Sequence, residues 1–343
     1  MKKTPTIQDV ARHAGVSAAT VSRVLSAPER VSEAARARVE DAVHETGYTI
    51  NQAARSLRMR AARTILAALP NIGNPFYSTI LDAVIGKALS RGYSVLVASR
   101  LDENPNRWLS NYLLSNRADG LLLFDGSLDT RSLHDLVGDG TPLPLVACYD
   151  ELPDPQINSV LTDNRQAAMR AVRHLIDLGH RHIGHVTGAT RNAFPNERLV
   201  GYREAMTAAG LPLRAEWFVT GDYSMDTGVA AARTLLALDE LPTAVFCGND
   251  EMSIGFISTL REAGIECPRD ISVVGFDDIA VSRHFAPPLT TMRQPREAMG
   301  AIATDALIDI IEGTAPTDGP INKVLTAELV IRSSTAPFTG RHR

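Results

Sequence analysis

Residues 6–60 read TIQDVARHAGVSAATVSRVLSAPERVSEAARARVEDAVHETGYTINQAARSLRMR. Thr6 stands three positions before Asp9, a capping-box arrangement with Asp in place of the usual Glu or Gln. Ile7, Val10, Ala11 and Ala14 then recur at helical spacing, so a first helix buries that face. Gly15 supplies the left-handed stop, and Ser17 caps a second helix, AATVSRVL, packed through Val21, Val24 and Leu25. Two helices about a tight glycine turn make a helix-turn-helix, and Ala11 and Gly15 are small enough for a close crossing. Pro28 breaks the chain. Ser32 then caps a third helix at about 33–46, packed by Ala35, Val39, Ala42 and Val43 and ended by Gly47.

The second helix of such a motif lies in the major groove, its first turn toward base edges. Here that turn offers Ser17, Ala18, Ala19 and Thr20, followed by Ser22 and Arg23. Arg23 can grip guanine O6 and N7 with two hydrogen bonds, whereas Ala18 and Ala19 have only methyl groups to set against thymine. Asn51 opens NQAARSLRMR, good helix formers in too short a run for a stable isolated helix. Leu57 has no core to join there. An apolar side chain on a basic, DNA-adjacent helix can wedge between base steps in the minor groove and kink the duplex. Charge agrees: the first 63 residues hold 11 Lys and Arg against 6 Asp and Glu, and the other 280 hold 24 against 33. A basic head on an acidic body assigns contact with a polyanion to the head alone.

The pattern changes at Thr64. Short apolar runs, TILAALP (64–70), YSVLVAS (93–99), GLLLFD (120–125), PLVACYD (144–150), HIGHVTG (182–188), TAVFCGND (243–250) and ISVVGFDD (271–278), alternate with amphipathic helical stretches. Such alternation predicts parallel sheets with helices on both faces, and seven or more strands suit two domains. The expected organisation is a helix-turn-helix domain at 1–50 and a hinge helix and linker at 51–63. One α/β subdomain is expected from 64–162 with 292–322, a second from 163–291 with 323–340. Ligands on open parallel sheets bind beyond the carboxyl ends of the strands. There the sequence turns polar, at Asn71–Tyr77, Ser99-Arg100, Tyr149-Asp150, Asn249-Asp250 and Asp277-Asp278. Asp and Asn engage hydroxyls, Arg binds oxygens through two bonds, and Phe76 or Tyr77 offers a ring face, an inventory suited to a sugar, sugar acid, polyol or nucleoside. Each such Asp or Asn has a plainer alternative, that of capping the next helix.

The words DVARHAGVSAATVSRVL, VSEAARARVEDAVHETGY and NQAARSLR resemble the lactose-repressor (LacI/GalR) family of bacterial transcription regulators, and the resemblance extends over essentially the whole chain. It implies an N-terminal all-α helix-turn-helix domain plus a periplasmic-binding-protein-like α/β core of two doubly wound parallel-sheet subdomains, joined by three crossovers. It implies that Ala18, Ala19 and Arg23 read the operator. It also implies that two hinge helices pair in the minor groove with Leu57 intercalated. The full DNA-facing set is Thr6, Ser17, Ala18, Ala19, Thr20, Ser22, Arg23, Ser32, Tyr48, Asn51, Ala54, Leu57 and Arg58. For the effector, the resemblance carries over Arg198 in NERLVGY, Asp277 in GFDD, Asn249 in CGND, and Phe76 and Tyr77 in NPFYSTI. Arg100 and Asp150 join them at strand ends. The function implied is a repressor whose affinity for palindromic operator DNA is set by a small metabolite, either by induction or by corepression.

Other chemistries find little support. There is no G-x-S-x-G, P-loop, G-x-G-x-x-G after a strand, or H-E-x-x-H, so an enzyme is not expected, nor any cofactor. His174, His180, His182 and His185 crowd one stretch, but His182 and His185 fall on opposite faces of an expected strand, and no metal site is predicted. The competing readings are a solute-binding protein or a small-molecule enzyme on the same core. The former needs an export signal, and MKKTPTIQDV lacks an apolar stretch. Cys148, Cys247 and Cys267 are few and far apart, as in a reducing cytoplasm, and no run suits a membrane span. Cytoplasmic location is expected, with nucleoid association when bound. The chain ends on PFTGRHR without a heptad helix, so a homodimer is expected rather than a tetramer.

Overall fold

The computed structural model describes residues 5–26, 28–48, 61–99, 112–113, 115, 117–124, 143–148, 156–188 and 196–340. The chain divides into two compact units, 1–62 and 63–343. In the first, α1 (Ile7–Ala14), α2 (Ala18–Ser26) and α3 (Glu33–Thr46) close on Val10, Ala11, Ala14, Val21, Val24, Val39 and Ala42. The Thr6–Asp9 capping box forms in both directions, and Gly15 and Gly47 end α1 and α3 at φ 63° and 65°. Ser17 Oγ accepts from the Thr20 amide at 3.1 Å, capping α2. Ser32 occupies the cap position of α3 but makes no side-chain cap hydrogen bond.

The second unit holds two lobes. In chain order the elements are β1 (Thr64–Leu69), α4 (Pro75–Ser90), β2 (Ser94–Ser99), β3 (Gly120–Leu123), β4 (Leu145–Cys148) and β5 (Asn158–Thr162). Then come α5 (Asn164–Asp177), β6 (Ile183–Thr187), α6 (Glu197–Ala208), β7 (Phe218–Thr220), α7 (Met225–Leu236), β8 (Ala244–Cys247), α8 (Asp250–Glu262) and β9 (Ser272–Asp277). Last are β10 (Thr290–Arg293), α9 (Arg296–Glu312), β11 (Asn322–Leu325) and β12 (Glu328–Val330). The first lobe has a parallel sheet ordered β11-β5-β4-β3-β1-β2; the second is ordered β12-β10-β9-β8-β6-β7 and parallel except at β12. The expected doubly wound pair is thus what the chain forms. In the second lobe, a core under α5 and α6 lies on one face and a core under α7 and α8 on the other. No helix among the described residues is long and apolar enough to cross a membrane.

The chain passes between the lobes after Thr162, after Arg293 and after Leu325. The second and third passages fall two to three residues beyond the boundaries expected at 291 and 322, because ladder pairing holds each strand longer. Arg293 registers with Asp277 on β9, and Leu325 registers with Thr162 on β5. The histidines also differ from expectation. His182 precedes β6 and pairs with Glu240 at 3.2 Å. His185 lies inside the sheet core, its ring stacked on Tyr202 and Phe246 at centroid distances of 5.0 and 4.9 Å.

Helices α7 and α8 cross at two glycines. A Cβ on Gly228 would lie 2.1 Å from the Met252 carbonyl oxygen, and one on Gly255 would lie 2.2 Å from that of Met225. Backbone cannot yield as a flexible side chain can, so the contact demands glycine on both sides. Gly228→Val should destabilise the chain by about 3 kcal/mol or more, measured by urea denaturation; a loss under about 1 kcal/mol would show that the helices slide apart freely.

Asp250, at the start of α8, is fully buried and ties three elements together. Its carboxylate accepts from Ile279 N at 2.9 Å, Ser282 Oγ at 2.6 Å and Thr291 Oγ1 at 2.5 Å. Burial, and next the neighbouring Asp277, push its pKa from 3.8 up to about 7. A raised carboxyl pKa contributes stability that is complete below the unfolded value and is lost as pH rises through the folded one. The thermal midpoint should therefore rise as pH falls from about 8 to 6.5. That window lies above the range in which His185, which burial pushes down to about 4, must be kept neutral at a cost. Asp250→Asn should flatten the rise; a midpoint that already ignores pH there would mean the three donors keep the carboxylate charged.

Candidate DNA-reading helix and effector cleft

On the head, the predicted DNA-facing residues separate by burial. Arg23 and Ala19, one helical turn apart on α2, are exposed with Ser17, and Arg23 makes no ion pair with another described residue. Thr20 bonds Ser17 Oγ through its hydroxyl at 2.9 Å, and Ser22 is half-buried. Ala18 and Tyr48 are partly buried against the three-helix core. Thr6 is exposed, with its hydroxyl engaged by Asp9 at 2.7 Å, and Ser32 is exposed. Asn51, Ala54, Leu57 and Arg58 lie outside the described residues, as do Arg100 and Asp150.

In the body, Arg198 and Asp277 come together. Asn196 caps α6 by accepting from the Arg198 amide at 3.1 Å, which starts the helix at the cleft side of β6. The Arg198 guanidinium, 3% exposed, donates to Gly248 O at 2.5 Å and Asn164 Oδ1 at 3.0 Å. It lies 3.8 Å from Asp277 Oδ1 and 3.8 Å above the Phe276 ring. Asp277 also accepts from Gln294 Nε2 at 2.7 Å. Burial raises the Asp277 pKa to about 6, and Arg198 opposes the rise.

The backbone at this point is strained. Asp277 and Asp278 have φ of 114° and 55°, conformations that cost a non-glycine residue roughly 1–3 kcal/mol each. The strain is held from outside. Asp278 accepts from Arg293 Nε at 2.7 Å and Arg332 Nη2 at 2.6 Å, and its carbonyl accepts from Arg296 Nη2 at 2.8 Å. Burial pushes the Asp278 pKa up, but those two arginine hydrogen bonds outweigh it and hold the carboxyl below its usual range. Strain maintained by three surrounding arginines marks a geometry the fold over-determines.

Two residues that sequence reasoning passed over belong to this cluster. Tyr223, at φ 69°, follows the three-residue strand β7, which is too short to register as an apolar run. Its ring occupies the space a side chain on Gly188 would need and lies 5.8 Å from the Arg198 guanidinium. Gln294, in the second passage between lobes, is 2% exposed, and its Oε1 has no hydrogen-bond partner among the described residues. A buried acceptor left unpaired costs about 1–3 kcal/mol, which a ligand hydroxyl would recover. The signal for Tyr223 was the strand-end position of GDY; Gln294 in MRQP carried no comparable signal.

The remaining effector candidates are engaged otherwise. Asn249 caps α8, accepting from Met252 N at 2.9 Å and donating to Tyr223 O at 2.9 Å, so it fixes the backbone behind the Tyr223 ring. Phe76 and Tyr77, in the first turn of α4, are nearly buried, with rings edge-on at 5.1 Å. They belong to the first lobe's core, which also takes in Ile254 and Ile279 from the second. Arg296 bridges the two regions, standing 5.9 Å over the Phe76 ring while bonding Asp278 O.

Comparison with known proteins agrees with this architecture. The signature of bacterial regulatory proteins, lacI family, matches residues 6–51, and that of the periplasmic binding protein-like domain matches 172–335. The chain is 35% identical over 337 residues to the HTH-type transcriptional repressor CytR of Escherichia coli (strain K12), covering 96% of each. It superposes on the lac repressor dimer bound to operator and the anti-inducer ONPF with a TM-score of 0.86, at 31% identity over 97% of this chain and 100% of that one. A complex of the transcriptional regulator CelR with cellobiose gives a TM-score of 0.72 at 34% identity, covering 96% of this chain and 99% of that chain. A three-helix head with an exposed Arg23, a two-lobed body with a buried Arg198–Asp277 pair, and relatives aligned along nearly their whole length place this chain in the lacI family of bacterial regulatory proteins.

Proposed function

We propose that this protein is a homodimeric cytoplasmic transcriptional repressor that binds a palindromic operator through α2 and is controlled by a small hydroxyl-rich metabolite held between the two lobes of its body. The observation that carries the reading is the buried Arg198–Asp277 pair, set on strained backbone beside the Tyr223 ring and a Gln294 Oε1 with no partner among the described residues. Guanidinium, carboxylate, amide oxygen and ring face together suit the hydroxyls and planar face of a sugar or nucleoside. Relatives that bind cellobiose or ONPF support that class.

On the DNA side, Arg23 supplies a guanine contact, with Ser17 and Ala19 beside it, and the segment carrying Leu57 supplies the hinge and the minor-groove wedge. Dimerisation is supported by apolar surface on one side of the first lobe. Edge strand β2 exposes Leu96 and Val97, and α4 beside it exposes Ile85 and Leu89. Adjacent exposed aliphatic residues on a sheet edge mark an association surface. Two-fold pairing there presents two reading helices to two half-sites. The effector acts through its unequal affinity for two lobe arrangements, since a ligand that binds both equally shifts nothing.

Arg23→Ala should lose about 1–3 kcal/mol of discrimination for the preferred half-site while leaving low-salt binding to unrelated DNA nearly intact. Fluorescence anisotropy on matched and scrambled duplexes measures this, and equal discrimination by the variant removes Arg23 from base reading. A thermal-shift screen of sugars, sugar acids, polyols and nucleosides identifies the effector class. Asp277→Asn should weaken the responding compound by roughly 1.5–3 kcal/mol, with operator affinity in its absence unchanged; an undiminished response in titration calorimetry moves the site elsewhere.

A further inference from the structure

The body begins at Arg63, the residue on which the tether from the DNA-reading unit arrives. Arg63 adopts φ 50°, in the left-handed region that a non-glycine residue enters only when held there. Its carbonyl accepts from Ser94 N at 2.8 Å, its guanidinium lies 4.9 Å over the Tyr93 ring, and Nη1 donates to Glu312 Oε1 at 3.1 Å. Glu312 is the last residue of α9, and Asp309 shares its turn, where the helix dipole disfavours carboxylates and no basic residue of α9 offsets them. The compensation comes from elsewhere. Arg91, at the end of α4, donates to Asp305 at 3.2 Å, Asp309 at 3.0 Å and Glu312 Oε2 at 2.9 Å, and Lys87 pairs with Asp305 at 2.8 Å.

The division of labour between the two Glu312 oxygens is informative. Oε2 faces Arg91 and helps join α4 to α9, a junction already held through Asp305 and Asp309. Oε1 faces outward to Arg63 and the Tyr93 hydroxyl. Helix pairing does not need the Arg63 contact. That contact is additional to the junction and falls at the first residue of the body. The opposite end of α9 lies at the candidate cleft, where Arg296 bonds Asp278 O and stands over Phe76. A single 17-residue helix, about 26 Å long, therefore joins the strained aspartates to the tether exit.

We infer that Arg63 and Glu312 form an anchor that sets the exit direction of the tether, making them positioning residues for operator selectivity at the end of a rigid element that starts at the cleft. The inference rests on the DNA-binding regulator reading. Fixing the exit lowers the freedom that two tethered reading heads lose on meeting two half-sites, so specific binding gains from the anchor and non-specific binding does not.

The test uses the full-length protein and a palindromic duplex enriched from a random pool by the wild type, with unrelated duplex as the reference. Arg63→Gln should reduce the ratio of specific to non-specific affinity roughly fivefold to twentyfold, at an unchanged melting temperature, and Arg63→Lys should restore it. Glu312→Gln is the decisive variant. Removing a negative charge from a DNA-binding protein tightens DNA binding by electrostatics alone, whereas loss of the anchor weakens the specific complex. A specific affinity that is equal or higher in Glu312→Gln overturns the anchor. So does a loss in Arg63→Gln that is the same on both duplexes, which marks a simple phosphate contact. Failure of the wild type to enrich any duplex overturns the regulator reading itself, and the anchor with it.

Discussion

A positive charge that is almost wholly removed from water governs the body of this protein. The Arg198 guanidinium is 3% exposed, and an uncompensated ion in that position would cost several kcal/mol. Its hydrogen bonds to Gly248 O and Asn164 engage two of its donors without neutralising the charge. The aromatic face of Phe276 contributes attraction, and the carboxylate of Asp277 supplies the opposing charge. An ordinary β conformation at the end of β9 does not deliver that carboxylate; the backbone reaches it with φ 114° followed by φ 55°. The arginines at 293, 296 and 332 exist in this arrangement to hold a turn that would otherwise relax.

Those retaining contacts come from two separate stretches of chain. Arg293 and Arg296 flank the second passage, where β10 ends and α9 opens, and Arg332 lies after β12, so the strained turn is tied to two stretches far apart in sequence. Asp250 reinforces the same region from below, binding Ile279, Ser282 and Thr291. The Asp277 carboxylate is joined to the second passage by a direct hydrogen bond from Gln294. The aromatic pair Phe76 and Tyr77 takes part indirectly, through Arg296 and through the apolar contact with Ile254 and Ile279.

Much of this was legible in the residues. The capping box at Thr6, the glycine stops at 15 and 47 and the third helix at 33–46 are local events, and local rules located them to the residue. Alternating apolar runs and amphipathic stretches gave the two parallel sheets, because a strand buried on both faces needs continuous aliphatic residues. What the pattern could not carry was anything settled by partners distant in sequence. The lobe passages were displaced because ladder registers with β9 and β5 decide where a strand stops. Tyr223 was missed because a three-residue strand leaves no periodicity. Gln294 was missed because its relevance comes only from being buried beside Asp277. The plainer alternative for strand-end residues held at Asn249, whose side chain caps α8, while Asp277 departs from it entirely.

The three passages between lobes lie side by side. Strand β11 pairs with β5, β12 pairs with β10, and Asp163 N donates to Leu325 O at 2.9 Å, stitching the first passage to the third. Adjacent ribbons of backbone are thus laced to one another by strand pairing on both lobes. Sliding one past another would shear the ladders at both ends. Any relative movement of the lobes that keeps these ladders whole must leave the passages fastened together, so the backbone pairing at β5–β11 and β10–β12 limits which displacements the body can make.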